Sequence, residues 1–319
     1  MKKILALTLT LVLLATSCLA FTSCGDDGKY TVGVCQLVQH AALDQATKGF
    51  VDALVAELGE ENVEIDVQVA GEPNLCSTVI GNFVSKKVDL IMANATPALQ
   101  AAANATMTIP VLGTSITEYG VALGTTLTNG VVGGNISGTS DLAPLDQQAQ
   151  MIVDFCPNVK KVGIVFCSAE ANSRYQVDEM TKFLNALGVT TVEFSFSDSN
   201  DISAVVTAAA NQCDALYIPT DNTAASCAET IGNIVREKMI PVFTGEENTA
   251  RVCGVASLTI SYYDLGVATG KMAAKILKGE ANVSEMPIEY APAAKKYNPE
   301  MCTLLGLTAP EGYVPMDME

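Results

Sequence analysis

Val88-Asp89-Leu90-Ile91-Met92 and, further along, Ile109-Pro110-Val111-Leu112 are answered in the second half of the chain by Cys213-Asp214-Ala215-Leu216-Tyr217 and Ile240-Pro241-Val242-Phe243. Each is a short apolar run bounded by turn or helix signals, the pattern of a strand buried on both faces. Tyr30-Thr31-Val32-Gly33-Val34 has a counterpart of the same kind in Lys160-Lys161-Val162-Gly163-Ile164-Val165. Between these runs the apolar period changes from two to 3.6. Strands are expected over 30–37, 63–69, 88–93 and 109–113, with helices over 42–58, 75–85 and 97–106. The order then repeats: strands over 161–167, 189–196, 215–219 and 240–244, and helices over 174–187, 202–210 and 224–238. Strand–helix alternation predicts a parallel sheet covered by helices on both faces. Because the whole order occurs twice, the expected fold is α/β, with two Rossmann-like parallel-sheet lobes joined by a hinge.

A helix over 262–278 and a strand over 286–290 complete neither lobe alone, so they read as elements returning to each lobe. The expected division is 30–137 plus 261–284 for the first lobe and 138–260 plus 285–319 for the second, with crossings near Gly138, Ser261 and Glu285. None of these is a long Gly/Ser linker, so the lobes should be hinged rather than loosely strung.

Composition removes several classes of function. The 319 residues carry 18 Lys and Arg against 35 Asp and Glu, a net charge of −17. Nucleic acids and anionic lipid surfaces call for basic faces, so neither is an expected partner of the folded body. With His40 as the sole histidine and no Trp, a zinc site built on two or three imidazoles is ruled out. No C-x-x-C pair occurs among Cys35, Cys76, Cys156, Cys167, Cys213, Cys227, Cys253 and Cys302, which argues against metal and iron–sulfur clusters. Several of these cysteines fall within apolar runs, so mostly free thiols are expected. The sequence has no G-x-S-x-G elbow, P-loop or dinucleotide fingerprint. The expectation is a protein without catalytic residues, cofactor or metal.

In parallel α/β sheets, ligands bind beyond the carboxyl ends of the strands, where helix N-termini present free N–H groups. Those ends are rich here in hydroxyl, amide and carboxylate groups: Gln39-His40, Ala95-Thr96-Pro97, Thr114-Ser115-Ile116-Thr117-Glu118, Ser168 to Ser173, Thr220-Asp221-Asn222 and Gly245-Glu246. Any one of them reads equally as a helix cap. Two lobes repeating the same chemistry at matching ends point to a cleft. The candidate ligand-binding residues are His40, Thr96, Ser115, Ile116, Glu170, Ser173, Asp221 and Asn222. Asp221 is the expected partner of a ligand ammonium, and Thr96 and Ser115 of a carboxylate.

The N-terminus reads as an export signal. Lys2 and Lys3 precede an apolar run over 4–15 that is too short to be read first as a membrane span. Thr22-Ser23-Cys24-Gly25-Asp26-Asp27-Gly28 then resembles a bacterial lipoprotein signal, with Phe21 where leucine is usual and Cys18 as a rival position. That resemblance implies a signal peptide over 1–23, lipid attachment at Cys24 and a tether over 24–29.

The body resembles a known family as well. Val34 to Asp44, ending Gln39-His40-Ala41-Ala42-Leu43-Asp44, is similar to the opening of ABC transporter substrate-binding proteins of the tryptophan/tyrosine type, whose motif reads roughly E-H-P-A-L-D. Ala95-Thr96-Pro97-Ala98, Ser140-Asp141-Leu142, Glu170-Ala171-Asn172-Ser173, Asp221 to Ser226 and Ser261 to Gly266 match further motifs in order, so the resemblance covers about 29–310. It implies a type I periplasmic-binding fold that captures a small solute, often an aromatic amino acid, by hinge closure. The partners it implies are a membrane permease and, through the lipid, the cell membrane; the sequence carries no oligomer signal, and a monomer is the default expectation. Gln39 and Ala41 depart from the motif in the loop expected to line the cleft. A different solute, such as a nucleoside, a sugar or another amino acid, remains open, as does a role as ligand sensor for a membrane receptor.

Overall fold

A computed structural model of the chain describes residues 28–318. The expected signal peptide, Cys24 and most of the tether lie outside the described residues.

The first sheet contains β1 (Tyr30–Gln36), β2 (Val63–Val69), β3 (Leu90–Asn94), β4 (Val111–Ile116) and β5 (Ile136–Ser140). The second contains β6 (Lys161–Cys167), β7 (Thr190–Phe196), β8 (Ala215–Ile218), β9 (Val242–Thr244) and β10 (Ala256–Thr259). Three short late strands finish them: β11 (Glu289–Tyr290) joins the first, and β12 (Ala294–Tyr297) and β13 (Val314–Pro315) join the second. The orders are β11-β5-β4-β3-β1-β2 and β13-β12-β10-β9-β8-β6-β7. All pairings are parallel except β10 with β12. The fold is α/β with two parallel-sheet lobes, as the repeat predicts.

The doubled apolar character of the strands has a direct cause. In β3, Leu90 and Met92 face one hydrophobic cluster, with Phe50, Leu54 and Met272, while Ile91 and Ala93 face another, with Ile80, Phe83 and Leu99. Successive residues point to opposite faces, and helices cover both, so apolar side chains are favoured on both faces of the strand. Fully burying a side chain such as Phe50 or Phe83 contributes about 1.5–3 kcal/mol each. The second lobe has one continuous core in which Val162, Ile164, Leu216, Val242 and Phe243 are buried.

The chain crosses between lobes three times. It leaves the first sheet after Ser140 and enters the second lobe at the helix Leu145–Phe155, so the crossing expected near Gly138 falls inside β5. It returns after β10 through Ser261, which caps the helix Tyr262–Leu277 by accepting from Asp264 N–H at 3.2 Å. It crosses last between β11 and β12, beyond the expected Glu285, because Glu289 and Tyr290 pair with Thr139 and Ser140. Both shifts have one cause. Short strands of two to five residues carry little local pattern and are defined by their partners.

The helix Tyr262–Leu277 packs on Ala41–Leu58 of the first lobe at glycine-mediated range. A Cβ added at Gly266 would lie 2.0 Å from the Ala46 carbonyl oxygen, and one at Gly49 would lie 2.1 Å from that of Tyr263. This packing fixes the start of Ala41–Leu58, and with it His40, against the second crossing.

Candidate functional site

The carboxyl ends of β3 and β4 are held in unusual backbone. Ala95 has φ 88° and Ser115 φ 55°, both in the left-handed region that non-glycine residues rarely enter. Such conformations cost about 1–3 kcal/mol each and persist only where the surroundings impose them. The Ala95 N–H donates to the Thr114 carbonyl at 3.0 Å. The β4–β5 register shifts between Gly113 and Ile116, so Ser115 bulges from the ladder. Bulges re-aim a side chain. β4 therefore runs past the expected end at 113, and Ser115 and Ile116 belong to the strand rather than to a loop. Thr96, Ser115 and Ile116 are all buried, and Thr96 opens the helix Thr96–Ala105 with Pro97 in its first turn. The Ser115 Oγ is buried without a hydrogen-bond partner.

The first loop is braced from behind. Gln36 Nε2 donates to the Val38 carbonyl at 2.8 Å and to Asp44 Oδ1 at 2.6 Å, while Thr47 Oγ1 donates to Gln36 Oε1 at 2.6 Å. The aspartate of the E-H-P-A-L-D-like motif thus holds the loop in shape. His40 ends that loop, half-buried, with Nε2 3.3 Å from Asn222 Oδ1 of the other lobe.

In the second lobe both carboxylate oxygens of Asp221, the expected partner of a ligand ammonium, are engaged by backbone N–H groups. Its Oδ2 accepts from Cys167 N–H at 2.6 Å and its Oδ1 from Ala224 N–H at 2.8 Å. It caps the turn Asn222–Ser226 and ties it to the end of β6, rather than offering a free carboxylate to the gap. Burial, helped by the nearby Glu170 charge, pushes its pKa well above the usual carboxylate range. Glu170 is likewise committed inside its lobe, accepting from Thr223 N–H at 2.9 Å and from Asn222 Nδ2 at 2.6 Å. Ser173 is fully buried beside Asn172.

Asn172 is the residue that pattern reading missed. Its Nδ2 lies within reach of three acceptors, with the Thr220 carbonyl nearest at 3.0 Å, so the amide orientation is set and Oδ1 is left buried without a partner. It sits inside the Glu170 to Ser173 motif, and only the direction of its amide distinguishes it from a cap. Asp141, at the first crossing, accepts from Thr117 Oγ1 at 3.2 Å and Tyr262 OH at 2.8 Å, and burial raises its pKa to about 6. It joins both early crossings beside the gap.

The facing ends enclose space. A cavity of about 470 Å³ lies between Leu37, Val38 and the 71–74 loop on one side and Cys167, Ala169 and the 197–200 loop on the other. A second, of about 260 Å³, lies between Gln39, His40 and Ala41 and the Ala225 to Glu229 segment. The two motif departures, Gln39 and Ala41, line this smaller one.

With this geometry in hand, known proteins give a consistent match. The family of ABC transporter substrate binding proteins matches residues 31–313. The chain belongs to that family. A "Tyrosine-binding protein" of Clostridioides difficile is 34% identical over 260 residues, 81% of this chain and 75% of that protein. The crystal structure of an ABC domain in complex with L-Trp from Streptococcus pneumonia is 34% identical and superposes with a TM-score of 0.85, covering 89% of this chain and 96% of that one. The ligand-free, open structure of a substrate-binding protein with adhesive properties from Clostridium difficile is 35% identical, covers 90% and 100% of the two chains, and superposes at 0.67. The two-lobed architecture is therefore that of the type I periplasmic-binding proteins, and the family is one of solute binders. Among the described residues no helix is long and apolar enough to cross a membrane.

Proposed function

We propose that this substrate-binding protein captures an aromatic amino acid between its lobes by hinge closure and hands it to an ABC permease, while a lipid on Cys24 keeps it at the outer face of the membrane. The observation that carries the reading is a pair of buried, unpartnered polar atoms on the facing ends of the two lobes, Ser115 Oγ and Asn172 Oδ1. A buried polar atom without a partner costs about 1–3 kcal/mol, and a ligand that supplies the partner recovers it on binding. Their chemistry is complementary to an amino acid. A serine hydroxyl beside the start of the helix Thr96–Ala105 suits a carboxylate, and an amide oxygen suits an ammonium. Thr96, Ile116 and Ser173, all buried, are the remaining candidates for contact with the ligand on this reading. Asp221 shapes the second wall through its backbone hydrogen bonds.

Two further facts support the ligand class and the mechanism. Two relatives at 34% identity are named for aromatic amino acids, one a tyrosine-binding protein and one solved in complex with L-Trp. At nearly equal identity, this chain superposes better on the L-Trp complex than on the ligand-free, open protein. A ligand that touches both lobes binds the closed form more tightly than the open one, and that difference alone drives closure.

The test is a thermal-stability scan of the refolded, ligand-stripped protein against amino acids, nucleosides and sugars. A ligand at 100 times its Kd adds about 2.7 kcal/mol of stability. The expected result is a selective shift with L-Trp, L-Tyr or L-Phe that is diminished in Ser115→Ala and in Asn172→Ala. A flat response to amino acids alongside a shift with a nucleoside or sugar refutes the ligand class and turns attention to Gln39 and Ala41.

A further inference from the structure

Glu170 is 1% exposed and accepts five hydrogen bonds. Oε1 receives Thr223 N–H at 2.9 Å and Thr223 Oγ1 at 2.8 Å. Oε2 receives Asn222 N–H at 3.1 Å, Asn222 Nδ2 at 2.6 Å and Asn172 Nδ2 at 3.2 Å. An ionised carboxylate only accepts. The Asn222 amide must therefore turn its nitrogen toward Glu170 and its oxygen away. That oxygen is the atom 3.3 Å from His40 Nε2, across the gap and 182 positions back in the chain. An amide oxygen needs a donor, so His40 must carry its proton on Nε2, which both the Nε2–H tautomer and the imidazolium provide.

We propose that Glu170 is a positioning residue that makes Asn222 a catch for His40, so that Glu170, Asn222 and His40 hold the lobes closed without contacting the ligand. The proposal rests on hinge closure as the working motion and reassigns three residues that sequence reading placed on the ligand. Their positions suit a latch. His40 stands at the end of the loop braced by Gln36 and Asp44, and Asn222 opens the turn that Asp221 caps. The two side chains thus sit on parts of their lobes that do not yield when the hinge moves. A bond that forms only in the closed state raises the closed fraction of the ligand-free protein, and apparent affinity rises in proportion to that fraction. One net hydrogen bond corresponds to a change of about 2- to 10-fold in the closed-to-open ratio.

The experiment combines small-angle X-ray scattering of the ligand-free protein with Kd measurements for L-Trp and L-Tyr. It uses the wild type, His40→Ala, Glu170→Gln and the double variant, with Asn222→Ala replacing Glu170→Gln if the latter fails to fold. The proposal predicts that each single variant shifts the ligand-free scattering toward the open form and raises Kd about 2- to 10-fold. The double variant should be no worse than the weaker-binding single, because both changes break one bond. Additive losses in Kd overturn the proposal, as does a loss confined to His40→Ala with scattering unchanged, which would place His40 on the ligand. Unchanged Kd and scattering in every variant also overturn it. Should neither amino acid bind, the scattering decides alone: a shift keeps the catch and removes the aromatic ligand reading, and no shift removes the catch.

Discussion

Replacing Gly266 by alanine tests the helix packing that carries both His40 and the second crossing. In an exposed helix interior this substitution is favourable by about 1 kcal/mol, because alanine loses less backbone entropy. At Gly266 the new Cβ would lie 2.0 Å from the Ala46 carbonyl oxygen and 2.9 Å from Phe50 N. Ordinary contact begins near 3.4 Å, so the helices must part by 3.4 − 2.0 = 1.4 Å at that point. Both neighbours are backbone, which no rotamer change can move aside. Overpacking of this kind costs about 1–3 kcal/mol and sometimes more. Near the upper end, and after the gain in propensity, the net loss is about 2 kcal/mol. At about 2.1 cal/mol/K of unfolding entropy per residue, a chain of this size turns that into a fall in Tm of roughly 3 °C. Gly81 is the internal control. It lies within the helix Cys76–Lys86, and a Cβ there meets nothing within 4 Å. Gly81→Ala should raise Tm by a few degrees at most. Differential scanning calorimetry of both variants beside the wild type decides the matter. A Gly266→Ala protein as stable as wild type would refute the close crossing, as would equal losses in the two variants.

Two further outcomes follow from buried groups. Asp141 has its pKa raised from 3.8 to about 6 by burial. A raised folded-state value means that the stability this group lends is present below about pH 4 and is lost as pH rises through 6. Asp141→Asn should flatten the fall in urea midpoint between pH 4 and 6 by an amount on the order of 3 kcal/mol at most, and a slope equal to wild type would contradict the assignment. Burial also orders the thiols: Cys35, Cys76 and Cys253 are 0% exposed, whereas Cys156, Cys213 and Cys227 are half-buried. Iodoacetamide should label the second group in the native protein and the first only after urea unfolding, as read by peptide mass spectrometry. Native-state labelling of Cys253, whose pKa burial pushes up to about 12, would show that the second lobe's core is open.

The repeated strands and the helices between them were legible in the sequence because their pattern is local. Burial on both faces makes a strand apolar throughout, and a covering helix shows its 3.6-residue period whatever it later touches. From two copies of that pattern followed the two lobes, and from the polar residues at their strand ends the expectation of a cleft between them. The family resemblance of the motifs around His40, Glu170 and Asp221 pointed to a solute binder. What the tertiary structure alone decided are facts about pairs of residues distant in sequence. The short strands β5, β11 and β12 exist through their partners, which moved two of the three crossings. The oxygens of Asp221 and Glu170 are taken up by N–H groups of Cys167, Ala224, Asn222 and Thr223, a convergence that no local pattern announces. Asn172 emerged as a candidate contact only when three acceptors fixed its nitrogen and left its oxygen buried and alone. Gly49 and Gly266 read as ordinary helix positions until the two helices brought backbone within 2.1 Å of where a Cβ would stand. Periodicity records which face a residue shows to its own segment. The direction of a hydrogen bond and the closeness of two backbones depend on the opposing segment, and that is set only when the chain folds.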